Sequence, residues 1–214
     1  EWNFRLTELY PNCEIHHDLY LEIHGSIDDI LLRFKKKLRY EIRKAFKLWN
    51  SDILTSHSSR EDLDSIWQEF QNLHFNASGR MTRSAQSWKL QKQMIIADVA
   101  FLVFLRNEEG QMIGGGFFTF TKDEALYAVA AYDRSLFKMP LGHLVQYIAI
   151  EHFVQRKIKW YKLGTRPQAS KKTSPSLKEL DIAKFKKQFS SHALPRFEFR
   201  LNNQIVANET QAQK

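Results

Sequence analysis

A change in hydrophobic period near residue 99 most constrains how this chain can fold. Before it, apolar residues recur every three or four positions, the spacing of amphipathic helices. After it come three β-type runs joined by short turns, Val99–Arg106, Gln111–Thr121 and Glu124–Tyr132. These runs predict an antiparallel meander. Pro140 and Gly142 then open a predicted helix over 141–156, which leads into a short strand over 160–163. This order predicts an α/β (α+β) fold with a mixed, largely antiparallel sheet flanked by helices.

The remaining elements follow from local patterns. Ser26 and Asp29 are spaced as a capping box, which predicts one long helix from Ile27 to about Trp49. An apolar stripe predicts a helix over 60–75. A further helix is expected over 85–97, and a partly helical segment over 177–189. Short strands are expected at 19–23 and 197–201, and a mobile loop over 164–176. Three glycines within one strand, residues 114–116, indicate a bulge or a close approach of another backbone.

Positive charge is concentrated in two segments. The formal net charge is +8. Residues 33–47 carry eight basic groups and one acid, and residues 156–187 carry eleven basic groups and two acids. The rest of the chain is therefore mildly acidic, and the two segments favour an anionic partner.

Other counts exclude several protein classes. No run of about 18 apolar residues is present, so no transmembrane segment is predicted. Cys13 is the single cysteine, which excludes an internal disulfide and any metal site built from several cysteines. The adjacent His16 and His17 have no third ligand nearby in the sequence, so no metal is predicted. A reducing compartment, most simply the cytoplasm, is expected.

Phe185-Lys186, followed by Phe189, forms a pattern of aromatic–lysine pair and later phenylalanine. This pattern resembles a motif of the FemAB-like transferases of the GNAT superfamily. Other resemblances are the strand 113–116 with its glycines, the proline-led helix 141–156, the strand 160–164 that ends in Gly164, and the basic helix 35–47. The resemblance covers residues 19–201 and implies one GNAT-like domain, with 1–18 as a lead-in and 202–214 as a flexible tail.

The resemblance implies an acyltransferase that moves an aminoacyl or acyl group to an amine or hydroxyl. The donor would be aminoacyl-tRNA or acyl-CoA acting as a co-substrate, with no bound cofactor. The acceptor would be a phosphate-bearing small molecule or a lipid-linked cell-envelope precursor. Cell-wall members of the family carry two GNAT-like domains, whereas this chain has room for one. The phosphate-loop pattern of acetyl-CoA users is not present in the sequence.

Two alternatives stay open at this stage. One is a CoA-dependent N-acetyltransferase, and the other is a non-catalytic basic module that binds RNA or an anionic membrane surface. Transfer from acyl-CoA but not from charged tRNA would support the CoA-dependent N-acetyltransferase. If the protein is a non-catalytic module, replacing Lys186 would abolish no transfer reaction. The oligomeric state is not indicated by the sequence.

The resemblance places Lys186 near the reactive end of the donor, where a cation would stabilise a tetrahedral oxyanion. Phe185 and Phe189 would wall the donor site. The competing interpretations are a solvated lysine in a basic helix and two ordinary core aromatics.

The remaining candidates depend on charge and position. Lys36, Arg39 and Arg43 share one predicted helix face that could contact phosphates, although the same face could simply be solvated. Arg166, with Lys171 and Lys172, lies in the predicted loop and could close on an anionic substrate. Gly142 and His143 open a helix whose free N–H groups attract anions, and His143 is also a candidate general base. Tyr132 is a further catalytic candidate and Asp133 a candidate for binding the acceptor amine; incidental roles are the alternative for all four.

Overall fold

The computed structural model of the protein describes residues 13–167 and 174–199. Within them lie seven strands, six α-helices and one 3-10 turn at Arg134–Leu136. The strands are β1 (Glu14–Glu22), β2 (Asn50–Leu54), β3 (Ala100–Arg106), β4 (Met112–Phe120), β5 (Glu124–Tyr132), β6 (Trp160–Arg166) and β7 (His192–Glu198). The helices are α1 (Ile27–Arg33), α2 (Lys36–Phe46), α3 (Arg60–Ser78), α4 (Ala85–Ile96), α5 (Leu141–Gln155) and α6 (Leu177–Lys187).

All seven strands form one mixed sheet in the order β2-β3-β4-β5-β6-β1-β7. Every neighbouring pair is antiparallel except β5 and β6, which are parallel and are connected through α5. The predicted meander is confirmed as β3, β4 and β5, each within one residue of its expected ends. The predicted fold class, a largely antiparallel sheet flanked by helices, is also confirmed.

The core has two parts because side chains alternate across the sheet. On β3, Phe101, Val103 and Leu105 join the cluster under α1, α2 and α5, while the intervening residues join the cluster under α3 and α4. The large buried rings are the anchors of each cluster, Phe153 on one face and Phe70 on the other. Both faces of the central strands are therefore covered by helices.

The glycines of β4 allow helices to approach both faces closely. A Cβ on Gly115 would lie 3.1 Å from the Phe70 ring of α3, and one on Gly116 would lie 2.8 Å from Val145 of α5. The groups that approach are side chains of the packed helices and not another backbone. A register irregularity of the predicted kind also lies beside the glycines, where Leu105 pairs with Gly114 and Arg106 with Met112, and a second one lies between Phe117 and Phe118.

The single long helix predicted from Ile27 is wrong, because the chain breaks between α1 and α2. Phe34 and Lys35 adopt extended backbone, with ψ near 147° and 148°. The break turns Phe34 into the core, where its ring meets the Phe189 ring edge-on at 5.6 Å. Arg39 then donates hydrogen bonds to the carbonyls of Leu31 and Leu32 at the end of α1. Burial of the Phe34 ring and the hydrogen bonds from Arg39 thus compensate for the helical hydrogen bonds that are lost at the break.

Several predicted boundaries also differ. Strand β2 was not predicted, since its sequence Asn-Ser-Asp-Ile-Leu is mostly polar and its first three residues are exposed. Strand β1 begins at Glu14 and β7 at His192, each five residues before the predicted start, because residues 14–20 of β1 pair with all of β7. Strand β6 continues to Arg166, into the predicted loop. The rest of that loop over 168–173, the start of the lead-in and the predicted tail lie outside the described residues.

Candidate functional site

The sheet opens between its two central parallel strands. Strands β5 and β6 pair only over Glu124–Leu126 and Trp160–Lys162. Beyond these pairs β5 continues beside β4 as far as Tyr132, while β6 continues beside β1 as far as Arg166. The strands therefore separate toward their carboxyl ends, which leaves a gap between them. The carboxyl ends of parallel strands are where open sheets most often bind ligands.

Lys186, in the last turn of α6, reaches into this gap. Its ammonium lies directly against Gly164 of β6, where an added Cβ would collide with Nζ, and 5.6 Å from the centroid of the Tyr127 ring of β5. Gly164 has a φ of +129°, a backbone conformation that favours glycine. Because residue 164 is a glycine, it leaves room for the Lys186 side chain at the point where the strands diverge.

The Lys186 ammonium is half-buried, and the part of the chain that the structure describes offers it no counter-ion. Burial lowers the pKa of Lys186 below its ordinary value. Among the described residues, no carboxylate or other acceptor pairs with Nζ, whose one polar contact is the face of Tyr127. A buried cation without an acid partner is unfavourable in the free protein and is compensated when an anion or a developing negative charge comes close.

Three tyrosines lie beside the same gap, of which Tyr161 is fully buried and Tyr127 and Tyr132 are half-buried. Tyr127 and Tyr132 share a hydrogen bond of 2.8 Å between their hydroxyls, and Tyr161 donates a 2.5 Å hydrogen bond to Oε1 of the fully buried Gln146. Burial raises the pKa of Tyr127 to about 12 and holds the pKa values of Tyr132 and Tyr161 well above the ordinary range. These phenols stay neutral near pH 7 and offer hydrogen-bond donors rather than negative charge.

The first turn of α5 is covered by aromatic side chains of the α6 region. A Cβ on Gly142 would lie 2.9 Å from the Phe185 ring and 3.5 Å from Tyr132. The His143 ring packs edge-on against Phe185 at 5.2 Å and lies 6.0 Å from Phe189. Burial lowers the pKa of His143, which is therefore neutral near pH 7, and the charges that act on it are Glu41 and Lys37 of α2.

A separate cleft of about 540 Å³ lies on the other side of α6. Five cations line it: Arg33, Lys35, Arg166, Lys184 and Lys187. Its apolar lining is Leu19, Leu21, Phe34 and Phe189, and none of the described residues around it is acidic. The two basic segments of the sequence therefore meet at one cleft, which attracts negatively charged groups such as phosphates.

The gap and the cleft are close together although α6 presents different faces to them. Lys184, Lys187 and Gln188 are spaced three and four residues apart and face the cleft, while Lys186 lies on the opposite side of the helix. Along β6, Gly164 borders Lys186 and Arg166 borders the cleft. Two residues of strand span about 7 Å. A ligand could place phosphates in the cleft and a reactive carbonyl beside Lys186.

The structure brings together part of the predicted site. Phe185, Lys186, Gly142 and Tyr132 lie around the gap, with His143 and Phe189 packed behind Phe185, and Arg166 lines the cleft. Phe189 is fully buried, so it is a core residue as well as a wall of the cleft.

Other predicted residues lie elsewhere. Lys36 is exposed and is not part of the cleft lining. Arg39 and Arg43 direct their guanidinium groups at backbone carbonyls of α1 and α2. Asp133 accepts hydrogen bonds from the N–H and hydroxyl of Ser135 and thereby caps the 3-10 turn. Lys171 and Lys172 are outside the described residues.

Several residues were not identified from sequence. Arg33 and Lys35 lie in the first basic segment, but the prediction of one continuous helix assigned them no common function. Lys184 and Lys187 had a usable signal, since a spacing of three residues places both on one helix face. Gln146 had none, because a glutamine within an apolar helix says little until its tyrosine partner is known.

Two observations concern partners of other kinds. Among residues 13–167 and 174–199, no three His, Cys, Asp or Glu side chains are grouped so as to hold a metal ion. Within the same residues, no helix has the length and apolar character needed to cross a membrane.

Solved structures share this fold at low sequence identity. FemX is 14% identical over 90% of this chain and 63% of its own, with a TM-score of 0.64. L-PGS from Bacillus licheniformis is 11% identical over 96% of this chain and 66% of its own, with a TM-score of 0.61. An aminoglycoside acetyltransferase from an uncultured soil metagenomic sample is 12% identical over 73% of this chain and 98% of its own, with a TM-score of 0.51.

These likenesses show the fold, and this chain spans less than two thirds of the length of the first two proteins. No curated protein sequence gives a significant match. The expected fold is shared with FemX, and the GNAT part of the expected resemblance is confirmed by a family model. That model, the acetyltransferase (GNAT) domain, matches residues 33–172, more than half of the chain, so this chain belongs to the GNAT acetyltransferase domain family.

Proposed function

We propose that this protein transfers an acyl or aminoacyl group from a phosphate-bearing carrier to an amine or hydroxyl. The observation that carries the proposal is the half-buried ammonium of Lys186, which lies where β5 and β6 separate and has no counter-ion among residues 13–167 and 174–199. Membership of the GNAT domain family supports the reaction class. The cationic cleft that begins about 7 Å along β6 supports a carrier with phosphates.

The mechanism follows from where charge develops. The acceptor nitrogen or oxygen attacks the carbonyl carbon of the donor ester or thioester, and the electron pair of the C=O bond moves onto oxygen. The Lys186 ammonium stabilises this oxyanion, and exclusion of water from the gap strengthens the interaction. When the intermediate collapses, the bond to the carrier breaks, and the proton lost by the acceptor is returned to the leaving oxygen or sulfur.

Neutral donors and an imidazole surround the reacting centre in this proposal. Tyr132 supplies a hydroxyl that remains protonated near pH 7, since burial raises its pKa. Phe185 and Tyr132 close over Gly142 and limit water access to the first turn of α5. His143 is neutral and able to accept a proton, although its packing contacts are with Phe185 and Phe189.

The proposal also names a class of donor and a class of acceptor. Aminoacyl-tRNA is the donor that we favour, because the motif around Phe185-Lys186 resembles FemAB-like enzymes and FemX shares the fold. Acyl-CoA is the second candidate, supported by the similarity to an aminoglycoside acetyltransferase. The acceptor is an anionic cell-envelope precursor or a small molecule bearing an amine. A cytoplasmic location stays a prediction from the single cysteine.

The test is a transfer assay with two radiolabelled donors, charged tRNA and acetyl-CoA, using Lys186→Met beside the wild type. Methionine keeps most of the length of the side chain and removes its charge. We expect Lys186→Met to lower kcat by about 100-fold to 1000-fold with a smaller change in KM. Lys178→Met, an exposed lysine in the first turn of α6, is the matched control and should retain wild-type kcat.

The results separate the alternatives. Transfer from acetyl-CoA with none from charged tRNA would replace the favoured donor and leave the reaction class intact. Equal kcat for Lys186→Met and Lys178→Met, with both proteins folded, would contradict the proposed role of Lys186. Absence of transfer from either donor would favour the non-catalytic binding module.

A further inference from the structure

The outer face of α2 carries a concentrated, uncompensated positive charge. Its inner face, Leu38, Ile42 and Ala45, is buried under α5 and the sheet. The outer face presents Lys36, Lys37, Arg43, Lys44 and Lys47, all exposed. Within the described part of the chain, none of these five forms an ion pair. The one acid of the helix, Glu41, is half-buried and acts on His143.

An exposed aromatic residue stands at the centre of this charge. The Tyr40 side chain is 60% exposed. Its helical neighbours at three and four residues on either side are Lys36, Lys37, Arg43 and Lys44, so four cations surround one phenol ring. Leu32 at the end of α1 is 73% exposed, and its carbonyl accepts a hydrogen bond from Arg39 of α2. Apolar and cationic groups are therefore displayed together beside the site.

Like charges at this spacing repel one another and destabilise the isolated helix. An apolar ring left in water among them gains nothing from burial in the free protein. The clustered positive charges and the exposed ring both become favourable against a surface whose outer layer is anionic and whose next layer is apolar. The headgroup region of an anionic bilayer has this character, and tyrosine is enriched at that depth.

The types of cation favour lipid over nucleic acid. Arg39 and Arg43 already direct their guanidinium groups at the carbonyls of Leu31, Leu32 and Arg39. The cations with no hydrogen bond to the described residues are the lysines, which act as point charges and do not form the bidentate contacts by which arginine recognises phosphates. An exposed leucine also offers no stacking surface to a base, whereas it can enter the lipid interface.

From this arrangement we propose that the outer face of α2, centred on Tyr40, docks the protein on an anionic phospholipid membrane. The interaction is peripheral, driven by lysine charge and completed by Tyr40 and Leu32 at the headgroup level. Lys35, which lines the cleft, directly precedes the first residue of α2. Docking therefore places the cleft near the membrane surface. The proposal does not depend on the transferase reaction.

The test is co-sedimentation of the protein with phosphatidylcholine vesicles, with and without added phosphatidylglycerol, over a series of salt concentrations. We expect binding only to vesicles with phosphatidylglycerol, falling as salt rises. The triple variant Lys37→Gln, Lys44→Gln and Lys47→Gln removes three charges and keeps good helix formers. Each lysine near an anionic surface contributes about five-fold, so the triple variant should bind about 100-fold more weakly.

Controls make the result specific to this face. The triple variant Lys89→Gln, Lys122→Gln and Lys138→Gln removes the same charge from exposed lysines on other elements and should bind vesicles like the wild type. Tyr40→Ala should weaken binding without changing its salt dependence. Circular dichroism and the unfolding temperature confirm that each variant is folded.

Three outcomes would overturn the proposal. One is equal binding to both kinds of vesicle, and another is an equal loss in the two triple variants. The third is binding of polyuridylate RNA that is lost in the α2 triple variant while no vesicle binding is seen, which would assign the face to nucleic acid.

Discussion

Gly164 is the residue on which the proposed site most depends. It combines a φ of +129° with a position directly against the Lys186 ammonium. Gly110 has a φ of +79°, but nothing lies within 4 Å of where its Cβ would be. Alanine at either position would strain the backbone, but only alanine at residue 164 would also collide with Lys186.

We expect Gly164→Ala and Gly110→Ala each to lower the free energy of unfolding by about 1–3 kcal/mol, because both force an L-residue into a strained backbone conformation. Only Gly164→Ala should also reduce the rate of transfer, since its methyl group displaces the Lys186 ammonium. Chemical denaturation and steady-state kinetics measure the two effects. A Gly164→Ala enzyme with wild-type kcat would show that the ammonium need not lie against residue 164.

The protonation of Lys186 gives a second prediction at this scale. Burial disfavours the ammonium, so its pKa lies below the ordinary lysine value of 10.5. If the charged form stabilises the oxyanion, activity is present below this lowered pKa and is lost as the pH rises through it. A pH profile of kcat should fall on the basic side with a midpoint under 10.5. Lys186→Arg, whose guanidinium stays charged, should remove this fall, and a profile unchanged by that substitution would assign it to another group.

At the scale of elements, the break between α1 and α2 shapes the cleft. Phe34 in the break is buried against Phe189, while Arg33 and Lys35 on either side line the cleft. We expect Phe34→Ala to lower the free energy of unfolding by about 3–5 kcal/mol, as for other buried phenylalanines, and to raise KM by loosening the two flanking cations. Leu32→Ala, at a residue 73% exposed, should change stability by less than about 0.5 kcal/mol. Denaturant titration checks both, and a loss of similar size in the two variants would contradict the packing role of Phe34.

The same break shows what the sequence could and could not predict. Local sequence patterns predicted the meander, the helices α3 to α6 and the inner face of α2. Phe34 also fits a helical stripe, so the stripe continued through it without interruption. The ring that draws it out of the helix belongs to Phe189, 155 positions along the sequence and invisible to local patterns. Strand β2 was missed for a related reason. Its mostly polar residues show no strand pattern, and it is a strand because its backbone pairs with β3.

The candidate site divides in the same way. The resemblance predicted Phe185 and Lys186, and local charge predicted that both basic segments contact an anionic partner. Neither could show that Arg33 and Lys35, rather than Arg39 and Arg43, reach the cleft, because the orientation depends on the break. The tyrosines and Gln146 come from three separate elements, β5, β6 and α5, and meet only in the folded sheet.

At the scale of the whole molecule, a polar cluster ties together elements far from the gap. Asp98, in the turn between α4 and β3, accepts hydrogen bonds from Arg156 at the end of α5 and from Ser56 after β2. Arg156 also lies 4.5 Å from the centroid of the Phe120 ring. Helices from both faces of the sheet are thus connected at the end of the sheet opposite Lys186.

This cluster predicts how stability depends on acid. The hydrogen bonds from Arg156, the largest cause, lower the pKa of Asp98 from 3.8 to about 2. Its stabilising effect is therefore full above pH 4 and is lost as the pH falls toward 2. Because the carboxylate is partly exposed, we expect Asp98→Asn to cost only about 1 kcal/mol at pH 7. Asparagine tolerates the positive φ of 56° at this position, so backbone strain does not confuse the comparison.

The measurement is denaturant unfolding of wild type and Asp98→Asn between pH 7 and pH 2, with Asp181→Asn as control. Asp181 pairs with Lys184 on the surface of α6, and both side chains are more than 70% exposed. The difference between wild type and Asp98→Asn should shrink as the pH falls through the 3.8 to 2 interval, while Asp181→Asn should show little difference at any pH. A difference for Asp98→Asn that stays constant down to pH 2 would mean that charge does not hold the two faces together, leaving the neutral hydrogen bonds and packing around Phe120 as the cause.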